Sequence, residues 1–152
     1  MSDWPNDLAR QAIVEAVRDT VVEDTPGLVE FDRMAPLGRQ AWRRFAVQTT
    51  GGSLGSLRDA PAIGAGGLTY LTRGYRVSVA YEAGKNRQSL GRDSELLTDD
   101  AERIIAAILR MAYDTPNTGL LRVTPIGWRA VDLPSGGVGT EIDLEAFVRR
   151  EL

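Results

Sequence analysis

Tyr75-Arg76-Val77-Ser78-Val79-Ala80-Tyr81-Glu82 alternates large apolar side chains with polar or small ones at a period of two. Successive side chains of an extended strand point to opposite faces. Tyr75, Val77, Val79 and Tyr81 are therefore expected on one side, with Arg76, Ser78, Ala80 and Glu82 on the other. A strand of this kind belongs to an antiparallel sheet with one packed and one wet face. The segment Val138 to Arg150 repeats the pattern, setting Ile142, Leu144, Ala146 and Val148 against Glu141, Asp143, Glu145, Phe147 and Arg149.

Two further regions read as strands. Arg43 to Thr50 alternates Phe45, Val47 and Thr49 with Arg44, Gln48 and Thr50, and a short strand-like piece, Leu28 to Phe31, precedes it. Leu120 to Leu133 is extended too, with Leu121 and Val123 on one side, but it contains Pro125 and Gly127. Proline cannot donate to a ladder, so that segment is expected to carry a bulge or to lie at an edge.

Helical spacing appears twice. From Asn6 to about Asp19, Ala9, Ala12, Ile13, Ala16 and Val17 recur every three or four residues and line one face. From Thr98 to Ala112, the residues Ala101, Ile104, Ile105, Ile108, Leu109 and Ala112 form an apolar stripe. Thr98 reads as the N-cap of this helix, and Asp99, Asp100 and Glu102 as acids complementing its dipole.

The order is thus helix, strand, strand, helix, strand, strand. Two helices with one apolar face each would cover one side of a four-stranded, mostly antiparallel sheet, an α+β fold in a single domain spanning residues 1–152. Two segments lack periodicity. Gly51 to Gly74 holds many glycines and Pro61, and is expected to be a long glycine-rich loop until Leu68. Ala83 to Leu97 is expected to be a second polar loop. Long loops inside a compact domain are commonly functional.

Composition narrows the function. The chain has no histidine and no cysteine, which removes the triad base, thiolate nucleophiles and thiolate metal sites. No stretch approaches a membrane span, and Met1-Ser2-Asp3-Trp4-Pro5 has no secretory signal, so synthesis in the cytoplasm is expected. The net charge of −3 opposes a main role in coating nucleic acid. Lys85 is the sole lysine, and arginine, the other cation, suits protein interfaces.

Three glycine clusters invite a phosphate-binding reading, but none opens a helix directly after a strand. Gly84-Lys85 lacks the upstream glycine and following hydroxyl of a P-loop, since Val79 and Asn86 stand there. Neither a cofactor nor a metal is expected. Glu141, Asp143 and Glu145 lie along one strand face and do not converge on one ion. Such a row suits a solvated face, or a stripe that meets arginines of a neighbouring subunit, with Arg39, Arg43 and Arg44 as the complement. An RNA-binding sheet would need exposed aromatics, whereas Tyr75 and Tyr81 fall on the core side. Trp42, Trp128 and Phe147 are the aromatics expected at outward positions.

The succession of an N-terminal helix, a strand, a glycine-rich loop, the strand YRVSVAYE, a polar loop, a capped helix and a final strand pair ending in Glu141-Ile142-Asp143-Leu144-Glu145 resembles the tail terminator proteins of long-tailed bacteriophages, of the phage lambda type. The resemblance implies a homo-oligomeric, hexameric ring in the tail and neck of the virion, assembled in the host cytoplasm. Such a ring caps the tail-tube protein and joins the head–tail connector protein, with no catalytic residue, cofactor or membrane. It implies no specific nucleic acid, although the lumen leaves room for DNA. The contact loops it implies correspond here to Gly51, Gly52, Leu54, Leu57, Arg58 and Ile63, and to Lys85, Arg87 and Arg92. Another neck or head–tail joining protein or a tail-tube subunit would share these features. A small cytosolic enzyme using carboxylates and tyrosine stays open as a different class.

Overall fold

The computed structural model describes residues 7–18, 20, 29–30, 43–54, 68–81, 89–132 and 137–151. Its elements run α1 (Leu8–Arg18), β1 (Val29–Glu30), β2 (Arg44–Leu54), β3 (Leu68–Tyr81), α2 (Ser89–Leu109), α3 (Thr115–Thr118), β4 (Leu120–Asp132) and β5 (Val138–Glu151). β2, β3, β5 and β4 form an antiparallel sheet in that order, and the two-residue β1 joins in parallel beside the start of β2. The α+β class is as expected. The last strand in sequence lies inside the sheet, and the proline-bearing β4 lies at its edge.

One face of the sheet carries the core. Phe45 and Val47 of β2, Tyr75, Val77, Val79 and Tyr81 of β3, Ile142, Leu144, Ala146 and Val148 of β5 and Val123 of β4 are buried together. Against them pack Ala9, Ile13, Val14 and Val17 of α1 and Leu97, Ala101, Ile104 and Ile108 of α2. The register agrees with the alternation, since Val77 stands between Val47 and Ile142. Ala80 departs from it: it lies on the other face, opposite Arg44, yet is buried, as is Ala46 nearby.

Helix α1 starts at Asp7, whose Oδ1 accepts the backbone N–H of Arg10 at 2.9 Å and so satisfies one of the free donors of the first turn. The Tyr75 hydroxyl donates to the same carboxylate at 2.9 Å, and Arg73 pairs with it at 3.3 Å. Arg10 then donates from Nε to the Val47 carbonyl at 2.8 Å, fastening the helix to β2. Burial, followed by the neighbouring Asp7 charge, outweighs Arg73 and pushes the Tyr75 phenol up to about 12.

Helix α2 differs most from expectation. It begins at Ser89, so Ser89 to Leu97 is helix rather than polar loop, and Thr98 is interior, its hydroxyl donating to the Ser94 carbonyl at 3.1 Å. It ends at Leu109, three residues before Ala112. Ile105 is partly buried, Leu109 is 67% exposed and Ala112 is exposed, so the apolar stripe closes at Ile108.

Asp100 is not a capping acid. It is 2% exposed and faces Arg43, also 2% exposed. Arg43 grips the carboxylate through Nε to Oδ2 at 3.0 Å and Nη2 to Oδ1 at 2.8 Å. The Tyr81 hydroxyl donates to Oδ2 at 2.6 Å. Arg43 sits in the left-handed region, with φ at 50°, and its backbone N–H donates to the Ala80 carbonyl at 2.8 Å. That turn lays the guanidinium under α2. Burial, then the hydrogen bond and charge of Asp100, raise the Tyr81 phenol far above its ordinary value, so it stays a donor throughout the physiological range.

Two expected loops are shorter than the sequence suggests. Gly51, Gly52 and Leu54 belong to β2, and Leu68 to Gly74 belong to β3. The strands pair through Gly51 with Gly74, after a bulge at Thr50. A Cβ on Gly74 would meet Thr50 Oγ1, so a side chain enters there only if Thr50 turns away.

Removing one partner of a buried ion pair leaves an unpaired charge in the core. Asp100→Ala should therefore cost about 3–5 kcal/mol, lowering Tm by on the order of 10 °C. Replacing all three groups with apolar ones (Arg43→Met, Tyr81→Phe, Asp100→Leu) should recover most of that loss. Thermal melting of both variants checks this; a single-variant loss below about 1 kcal/mol would mean the pair behaves as if solvated.

Candidate docking surface

Helices α1 and α2 pack on the core face and α3 packs beside α1, so the opposite face of the sheet has no helix over it among the described residues. Register places on it Arg44, Ala46, Gln48 and Thr50 of β2, and Tyr70, Thr72, Gly74, Arg76, Ser78 and Ala80 of β3. Glu141, Asp143, Glu145, Phe147 and Arg149 of β5 and Arg122, Thr124, Gly127, Arg129 and Val131 of β4 complete it.

The acidic row is matched within its own chain. Arg76 Nε contacts Asp143 Oδ1 at 2.9 Å and Glu141 Oε2 at 3.2 Å. From the other side, Arg129 reaches Asp143 Oδ2 at 2.9 Å through Nη1, and Glu141 Oε2 through Nη2. Two cations and two carboxylates thus alternate across β3, β5 and β4. Burial pushes the Asp143 carboxyl up, but the hydrogen bonds and charges of Arg76 and Arg129 outweigh it and hold it below the usual range. The hydrogen bond that Arg129 donates to Asp143, then the Glu141 charge, raise the Arg129 guanidinium. Glu145 is exposed and has no cation partner among the described residues.

This arrangement gives Glu141 and Asp143 partners within the chain, and the structure removes one residue from the expected inter-subunit set. Arg43 is buried against Asp100 and cannot meet a neighbour. Arg44 is on the open face and half-buried, while Arg39 lies outside the described residues. Reversing Glu141 and Asp143 to arginine would set four cations side by side within one chain, so it would perturb the monomer as well as any contact between copies. Of the expected contact loops, Gly51, Gly52 and Leu54 are in β2 and Arg92 is in α2. Leu57, Arg58, Ile63, Lys85 and Arg87 lie outside the described residues.

The long edge strand β4 is blunted in its first half. The backbone N–H of Val123 donates to the Tyr113 hydroxyl at 3.1 Å. Pro125 offers no N–H, and a bulge falls at Ile126. Beyond the bulge, Gly127 to Asp132 pairs regularly with β5, and its outer side has no strand partner among the described residues. Ile126 is 66% exposed. Trp128 is 37% exposed, but it stands opposite Ile142 and so projects on the helix-covered side, contrary to its expected outward position. There it walls a cleft of about 200 Å³ with Leu97, Thr98, Ala130 and Val138. Phe147 does lie on the open face, and Trp42 lies outside the described residues.

Two other depressions are lined by described residues. A trough of about 450 Å³ on the open face follows the line of the two bulges, floored by Gly51, Gly52 and Gly74 and edged by Arg76, Ile126 and Glu145. A groove of about 420 Å³ runs between α1 and the end of α2, lined by Ala12, Ala16, Ala107, Met111 and Ala112, with Glu15, Arg110 and Asp114 at its rim. Among the described residues, no group of three or more metal-ligating side chains is gathered, and no helix is long and apolar enough to cross a membrane. Comparison with protein-family models and with curated protein sequences finds no match to this chain.

The Asp143 carboxyl is depressed in the folded state, so its contribution is complete above the ordinary carboxylate value of about 4 and fades as the pH falls below it. Asp143→Asn should lower Tm by a few degrees at about pH 7, a small effect because the pairs are part-exposed. The gap to wild type should narrow as the pH is lowered to about 3. An equal gap at both pH values, read by differential scanning calorimetry, would mean the ion pairs are not its source.

Proposed function

We propose that this chain is a virion assembly protein, a ring-forming tail terminator that caps the tail tube and offers a joining surface to the head connector. The observation that carries the reading is the edge strand β4, where Ile126 is 66% exposed and Trp128 37% exposed beside a strand edge that no described residue pairs. Exposed aromatic and aliphatic residues at the rim of a cleft are the usual anchors of a protein interface. An edge that is closed at Tyr113 and Pro125 and open from Gly127 onward restricts pairing to a short segment, which suits a specific contact better than open-ended aggregation. A ring needs a heterologous contact, in which this edge meets a different surface of the next copy.

The resemblance to tail terminators in the sequence supports the reading, and the matched Arg76–Asp143–Arg129–Glu141 ladder keeps the open face compact with no helix over it among the described residues. The tail-tube and connector proteins are the partners on this reading, with no cofactor taking part.

Negative-stain electron microscopy of the purified chain, alone at high concentration and with tail-tube protein, tests it. Closed rings, or tubes capped at one end, are expected. Ile126→Ser should abolish them while changing monomer stability by only about 0.5 kcal/mol, as an exposed substitution does. A uniform monomer that ignores the tube protein would sink the proposal. Open tubes built by this chain alone would identify a tube subunit instead.

A further inference from the structure

At one end of the open sheet face, Tyr70 of β3 and Phe147 of β5 stack with ring centroids 5.9 Å apart and planes inclined by 14°. Both rings are partly exposed. Arg149 stands opposite Tyr70, and Arg122 stands opposite Phe147. Neither arginine has a carboxylate partner among the described residues, unlike Arg76 and Arg129 farther along the same face. The face as a whole carries five arginines (Arg44, Arg76, Arg122, Arg129, Arg149) against three carboxylates among its described side chains. The described side chains of this face thus carry two more positive than negative charges, although the entire chain has a net charge of −3.

We infer that this end of the sheet binds single-stranded nucleic acid without sequence preference, beyond any role in a ring. Arg122 and Arg149 would take successive phosphates, and the Tyr70–Phe147 pair would stack an unpaired base. An open antiparallel sheet with partly exposed aromatics bracketed by unmatched cations is the arrangement that strands without pairing partners use. A polyanion accounts for the unmatched arginines, and the aromatic pair between them favours bases over an acidic protein surface. A duplex hides its bases, so it would use the arginines and leave the rings idle. Glu145, two residues from Phe147 on the same strand face, opposes the phosphates and keeps the affinity low.

Fluorescence anisotropy with the full chain and a labelled oligo(dT) of about 20 nucleotides tests this. Binding should be measurable at about 50 mM salt and weaken steeply at about 200 mM. The double variant R122E/R149E should bind at least tenfold more weakly, and Phe147→Leu about tenfold, the size of one lost base stack. Glu145→Gln should tighten binding a few-fold, and Arg110→Glu on the helix side should leave it unchanged. Thermal melts of each variant separate lost contacts from lost folding, and the Glu145→Gln gain cannot arise from unfolding. No binding at about 100 µM and low salt would overturn the inference. So would unchanged affinity in R122E/R149E, or equal affinity for a duplex or for poly-glutamate.

Discussion

A guanidinium, a carboxylate and a phenol meet where no water reaches them, and the rest of the molecule is arranged around that contact. Arg43 lies just before β2, Tyr81 ends β3 and Asp100 is midway along α2, so one cluster joins three elements that the chain reaches at widely separated points. An apolar stripe alone could slide along the sheet, since hydrophobic burial has no direction. A bidentate pair has one geometry. Arg43 Nη1 is buried without a hydrogen-bond partner among the described residues, a cost the fold carries. The contact therefore contributes more to where α2 sits than to how stable the protein is.

The fold class was legible because β3 and β5 keep strict alternation over long segments. In each, every second residue from Tyr75 to Tyr81 and from Ile142 to Val148 is buried. Pro125 and Gly127 marked an edge strand with a bulge for a physical reason, and the bulge falls between them. The start of α2 was not legible. Ser89 to Leu97 contains Gly91 and three charged residues, and reads as a polar loop until its register with the stripe beyond is known. Three acids near Thr98 look like a cap, and only the turn at Arg43 shows that the middle one points into the core.

The surface residues were harder still. The row Glu141, Asp143 and Glu145 was visible as a stripe, but its partners Arg76 and Arg129 come from strands whose pairing no local pattern specifies. Tyr70 sits in a segment dominated by glycine, where periodicity is weak, so its stacking on Phe147 depends on a cross-strand diagonal. Trp128 would project outward if β4 alternated without interruption. The register shift between Pro125 and Gly127 sends it to the helix side instead.

Charge matching on the open face divides it into two parts with different consequences. Where Arg76 and Arg129 meet Glu141 and Asp143, each charge already has its counterion, and a partner would have to break existing bonds to gain new ones. Such a region resists binding and suits a sheet face that no described helix covers. Around Phe147 the balance fails, because Arg122 and Arg149 make no ion pair among the described residues and an aromatic pair lies between them. A surface spends little to desolvate groups that were never paired, so the unmatched end is where an external anion gains most. The same division explains why the net charge of the whole chain is a poor guide to this face: its described side chains are cationic on balance, and a bound polymer senses mainly the charges within about a Debye length.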